Sequence, residues 1–171
     1  MILARLGRDQ RGVAAVEMSL VTGIFAVAMM NAVELGRYAY VLMEAGQATQ
    51  AGAEAAYVTC DAAHVPATEN CPNLADAVTT AIHSTSLGSA VSLHGDIGEG
   101  YYCLDSSDAL VFAGDVSSKP ADCSAYGQPS LGPALYLQVS TTYAYAPMLG
   151  AVTLAQAFPA TINKTSWMRM L

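Results

Sequence analysis

Charge is scarce in this chain, and positive charge scarcer still. Only 12% of its 171 residues are charged, with seven Lys and Arg against fourteen Asp and Glu. The formal net charge of −7 argues against a nucleic-acid-binding surface, because such modules carry a basic patch or stripe. No proline precedes Pro66, so nothing before that point forces a helix to break. None of the four cysteines has the close C-x₂₋₄-C spacing of a structural zinc site. No G-x-S-x-G, P-loop or H-E-x-x-H pattern occurs, and nothing in the sequence supports catalysis. The three histidines do not cluster. His64 falls in a loop, His83 on the polar side of a short helix and His94 on the solvent phase of a strand. His94, Asp96 and Glu99 lie in a glycine-rich segment, but their spacing matches neither zinc nor calcium loops and reads as a polar turn. No cofactor or metal is expected.

What the chain does have is apolar length. Hydrophobic residues make up 53%, and the excess sits in alanine and near the N-terminus. From position 13 to 33 the clearly polar side chains are Glu17, Ser19, Thr22 and Asn31 alone. Such a run gives about 30 Å of helix at 1.5 Å per residue, the thickness of a bilayer core. Arg5, Arg8 and Arg11 precede it, which predicts a cytoplasmic N-terminus and an exported C-terminus. Arg37, Tyr38 and Tyr40 follow it, where charge and aromatic rings mark the exit from hydrocarbon. Glu17 lies close to the start of the span. A carboxylate there costs about 2.5–3.5 kcal/mol on insertion scales, so it needs a reason.

Beyond the span the helix is expected to continue to about residue 58. Val41, Ala45, Ala48, Gly52 and Ala55 form a stripe of mostly small side chains, open to close approach by a sheet or a neighbouring subunit. Residues 59–72 read as a loop. A short amphipathic helix follows, capped by Asn73, with Leu74, Ala77, Val78, Ala81 and Ile82 inward and Gly88 as its stop. The period then switches to two over residues 91–97. The clearest strand covers 135–145, with Leu135, Leu137, Val139, Tyr143 and Tyr145 on one face. Pro147 and Gly150 mark a turn, and Val152, Leu154 and Phe158 suggest a further edge strand. Residues 105–133, rich in Ser, Asp, Gly and Pro, read as a long loop.

All four cysteines (Cys60, Cys71, Cys103 and Cys123) follow the span. In an oxidising compartment they imply two disulfides, with three pairings open. Cys60–Cys71 and Cys103–Cys123 close the shortest loops. The expected fold is α+β: a long N-terminal transmembrane helix, then a small disulfide-stapled antiparallel sheet domain with one short helix.

Three runs carry a family resemblance: Arg11 and Gly12; Ala15, Val16 and Glu17; and Glu34, Leu35, Gly36 and Arg37. A weaker echo comes late, in Tyr143, Ala144, Tyr145, Ala146 and Pro147. Together they resemble the TadE-like minor pseudopilins of the tight-adherence (Tad, or Flp) pilus, closely over residues 11–58 and loosely over 134–165. Met18 stands where these families often carry an aromatic residue, and the chain is much longer than the major Flp pilins, so a minor subunit is the nearer match.

The resemblance implies a pilin-like fold and a leader, residues 1–12, removed by a prepilin peptidase between Gly12 and Val13. It implies a long helix over 13–58, with about 13–36 in the bacterial inner membrane, and a periplasmic or extracellular head over 59–171. The chain would help initiate, prime or cap the pilus and end at the cell surface. Its partners would be other Tad pseudopilins, the major Flp pilin, the prepilin peptidase, the inner-membrane assembly platform and membrane lipid, but not nucleic acid.

Glu17 is then the assembly residue. Its carboxylate would pair with the new amine of Val13 in an adjacent subunit, so that neither charge stays alone at low dielectric. The competing reading is a glutamate that snorkels to the headgroups. Glu34 and Arg37, three apart, are expected to pair locally on one helix face, with a bridge to a partner protein as the alternative. Two rival functions remain open. One is an uncleaved single-span envelope protein with a ligand-binding or structural periplasmic head. The other is a secreted binding protein or enzyme cut after a small residue such as Ala32, disfavoured because the apolar run exceeds a signal-peptide core.

Overall fold

A computed structural model of the chain describes residues 11–60, 62–149 and 154–171. The expected leader lies outside the described residues up to position 10, as do Gly150 and Val152. Helix α1 spans Arg11–Thr59 without a break, as an alanine-rich, proline-free sequence allows. Two compact units share it: Met1–Ala39 with Ala146–Pro159, and Tyr40–Tyr145 with Ala160–Leu171.

In the first unit, α1 carries few polar side chains before Asn31. Its best 18-residue window has a mean hydropathy of 2.0, and none of that window is buried. A water-soluble helix keeps a polar face; this one exposes Val16, Leu20, Ile24 and Phe25 alike. It is long and apolar enough to cross a membrane.

In the second unit, α1 turns its small residues inward. Val41, Ala45, Ala48, Gly52, Ala53, Ala56 and Cys60 are buried. The stripe differs from expectation at one end: Ala55 is half-buried and Ala56 is fully buried. A straight helix of 3.6 residues per turn drifts away from a seven-residue repeat, so the buried ridge advances in fours rather than alternating. Against it packs α3, Leu74–His83. A Cβ placed on Gly52 would stand 3.0 Å from Ile82 Cγ1 and 3.3 Å from Val78 Cγ1. Glycine here lets the two helices touch. Leu74, Val78 and Ile82 are the buried face of α3, while Ala77 and Ala81 stay half-buried. The helix ends at His83, and Gly88, at φ 55°, begins a separate 3₁₀ turn. Asn73 precedes α3 but makes no side-chain capping bond. Residues 59–72 are more ordered than a plain loop: they hold a 3₁₀ turn at Ala62–His64 and the one-turn helix α2, Ala67–Asn70.

The sheet has five antiparallel strands: β1 Val91–Leu93, β2 Gly98–Leu104, β3 Leu110–Asp115, β4 Ala134–Ala144 and β5 Thr161–Arg169. β4 is its axis. One edge of β4 pairs with β5 from Tyr136↔Arg169 to Ala144↔Thr161. β2 takes residues 134–138 and β1 takes 141–143. Since a strand has two edges, β1 and β2 share the other one end to end, and β3 pairs outside β2. Leu135, Leu137, Val139 and Thr141 point into the core. Thr141 was not expected there. Its hydroxyl lies 2.6 Å from that of Thr49, and Thr49 donates its own proton to Ala45 O at 2.7 Å. Thr141 must therefore be the donor between the two hydroxyls.

Two further expectations are corrected. The long loop of 105–133 contains β3. The edge strand around Leu154 is instead a 3₁₀ turn, Leu154–Ala157, and the last strand begins later, at Thr161. Pro159 cannot donate a ladder hydrogen bond, which keeps pairing from starting before it. The disulfides are Cys60–Cys71 and Cys103–Cys123, with Cα separations of 6.1 and 5.6 Å. These are the two shortest-loop pairings.

The outer sheet face carries an aromatic group. Tyr102 meets Phe112, Tyr136 and Trp167 edge-on at 5.4, 5.9 and 4.8 Å between centroids. Burial pushes the Tyr102 phenol up from its ordinary value.

At the β2–β3 turn, Asp105 accepts from Ser107 Oγ, Ser107 N–H and Ala109 N–H at 2.7–2.9 Å. The Ser107 hydroxyl first, then the two amides, hold this carboxyl below its ordinary 3.8. A depressed folded-state value means the turn gains from the ionised form above that range and loses the gain as pH falls through the folded value. We expect the Asp105 carboxyl carbon to titrate by NMR with a midpoint below 3.8, with the Ala109 amide shift following it. A midpoint at or above that value would contradict the geometry.

Candidate functional site

The sequence separates the apolar half of α1 from residues 146–159, yet the first unit joins them. The described part of this stretch, residues 146–149 and 154–159, lies between β4 and β5, and Tyr145 N–H donates to Ala160 O at 2.8 Å beside it. It meets α1 as a strap that Asn31, Glu34, Arg37 and Tyr38 help to hold.

Asn31, Glu34 and Tyr38 recur at steps of three and four and so share a helix face, with Arg37 beside them. Asn31 Nδ2 donates to Val27 O at 2.8 Å, which leaves Oδ1 to accept Leu154 N–H at 2.8 Å. Both oxygens of Glu34 accept Met148 N–H, at 3.3 and 3.2 Å. Arg37 Nη1 donates to Ala146 O at 2.8 Å and to Glu34 Oε1 at 3.4 Å. Tyr38 stacks on Phe158 with centroids 4.5 Å apart and planes 18° from parallel. Two acceptors thus take strap amides, one cation takes a strap carbonyl, and one ring fixes the far end.

Glu34 is 2% exposed, deep for a carboxylate beside an apolar span. Its bonds explain the burial, because a buried charge must be paired and hydrogen-bonded. The expected Glu34–Arg37 pair is present, at 3.4 Å. What the sequence did not reveal is that the pair also grips the strap. Between strap and helix lies an open slot of about 390 Å³, lined chiefly by Ala32, Leu35, Leu154, Ala157 and Phe158.

The remaining site residues stand elsewhere. Gly12 and Val13 are exposed in the first turns of α1, and a Cβ on Gly12 would meet nothing within 4 Å. Packing gives no reason for glycine there, although glycine costs a helix about 1 kcal/mol relative to alanine. Glu17 is exposed among apolar neighbours, and among the described residues it has no ion-pair partner. Glu99, considered with His94 and Asp96, accepts Ala67 N–H, Thr68 N–H and the Thr68 hydroxyl at 2.8–2.9 Å. It ties β2 to the start of α2. Among the described residues no group of three or more His, Cys, Asp or Glu is placed to hold a metal ion.

Comparison with protein-family models, with curated proteins and with solved structures found no match for this chain.

Proposed function

We propose that the chain is a pilin-like minor pseudopilin of the tight-adherence type, stored in the bacterial inner membrane by α1 and drawn into a pilus by its neighbours. The observation that carries this reading is Glu17: an exposed acid on a helix whose apolar window has no buried part, five positions after an unpacked glycine. Such a charge calls for a partner outside its own helix. The amine freed by cleavage between Gly12 and Val13 is a cation of the right sign, close to the membrane surface, and another subunit can supply it. A second point supports the reading. Two of the runs that carry the resemblance meet in one site, where Arg37 donates to Ala146.

In this reading the prepilin peptidase removes residues 1–12, the head faces the periplasm, and the protein has no catalytic activity of its own. Its partners are other pseudopilins, the major pilin and the assembly platform.

Mass determination of the mature protein, with and without the peptidase, tests the processing step. A start at Val13 that depends on the peptidase is expected. A start at Met1 marks an uncleaved envelope protein, and one near Val33 a secreted protein; either overturns the proposal. For assembly, Glu17→Leu is expected to be processed normally but lost from sheared pili. Normal piliation in that variant would defeat the pairing of Glu17 with a neighbour's amine.

A further inference from the structure

We propose that residues 146–149 and 154–158 form a lipid-facing strap that sits in the interfacial layer of the membrane at the outer end of the apolar span of α1, beside residues 31–38. The inference rests on the reading that α1 crosses a bilayer, and it adds a second contact with lipid.

Four observations point to lipid as the occupant. First, Ala146–Pro159 contains no charged residue, in a chain with a net charge of −7. Second, two of its large side chains face outward, Met148 at 71% and Leu154 at 76% exposed, while Leu149 and Phe158 are half-buried. Third, this apolar surface continues that of the span, since Leu35, itself 55% exposed, lines the same slot as Leu154 and Phe158. Fourth, main-chain groups of the strap are satisfied from within the unit. Met148 N–H and Leu154 N–H reach Glu34 and Asn31, and Ala146 O receives Arg37. Irregular backbone tolerates the edge of hydrocarbon only when its amides and carbonyls are paired. Tyr38, stacked on Phe158, is the kind of aromatic residue enriched at that depth. A protein partner would need none of this internal pairing, because it brings donors and acceptors of its own.

The test uses the full-length protein in phosphatidylcholine–phosphatidylglycerol vesicles whose acyl chains are brominated either near the headgroup or near the chain terminus. Trp167 is the single tryptophan, so Trp167→Phe gives a silent background. Into it Met148→Trp, Leu154→Trp and Ile24→Trp are placed singly, all at exposed positions. Retention of both disulfides and of the far-ultraviolet spectrum serves as the folding check. Headgroup-end bromine is expected to more than halve the emission of tryptophan at 148 and 154, with the chain-terminal probe weaker. Ile24→Trp should show the reverse order. Quenching at 24 without quenching at 148 or 154 overturns the strap proposal, leaves the span standing and turns the strap toward a protein partner. Absence of quenching at all three positions overturns both the membrane reading and the strap.

Discussion

Gly52→Leu is expected to force α1 and α3 apart and destabilise the head more than any single surface change. A Cβ alone would already stand 3.0 Å from Ile82 Cγ1, 3.2 Å from Ile82 Cδ1 and 3.3 Å from Val78 Cγ1. Val78 and Ile82 are fully buried, and overpacking of this kind costs about 1–3 kcal/mol, sometimes more. The converse change, Ile82→Ala, opens a cavity at the same contact and should cost about 2–5 kcal/mol. The double variant tests the geometry directly. Leucine at 52 fills part of the space vacated at 82, so the combined loss should fall well short of the sum. Urea unfolding of the oxidised protein, followed by circular dichroism, reads all three. Additive losses would show that α1 and α3 do not meet at this point.

Glu34→Leu is expected to free the strap while leaving the head intact. The substitution removes the acceptor of Met148 N–H and the carboxylate that faces Arg37. Hydrogen bonds to a charged group contribute about 1.5–3 kcal/mol, and the Met148 amide should lose protection by a corresponding factor. Leu137 and Val139, buried at the centre of β4, should exchange as before. Glu34→Gln keeps an acceptor for Met148 and gives up the charge toward Arg37, so its effect should be intermediate. Hydrogen exchange read by mass spectrometry or NMR separates these outcomes. Unchanged exchange at Met148 in Glu34→Leu would mean that the carboxylate does not hold the strap.

Some elements were legible in the sequence because a single physical signal marked them. The length of α1 followed from an apolar run with no proline. α3 followed from its 3.6-residue period and β4 from strict alternation. β2, β3 and β5 were hidden for different reasons. β2 begins Gly98-Glu99-Gly100, and its glycines read as turn rather than strand. β3 lies inside a segment rich in Ser, Asp, Gly and Pro. β5 places Lys164 and Ser166 on the same side as Ile162 and Met168, which erases the hydrophobic alternation. Its Thr161, Ile162, Thr165 and Trp167 were the signal available, through β propensity rather than pattern.

The sequence by itself determined the apolar helix, the acid set into it and the cysteines placed beyond it. Each of these depends on residue type along one element. Only the tertiary structure decided what Asn31, Glu34 and Arg37 hold. Their partners lie 123, 114 and 109 positions away, and each is a main-chain amide or carbonyl. Nearly every residue offers those same groups, so such a partner leaves no mark in the choice of amino acid and is found only where the chain folds back to supply it.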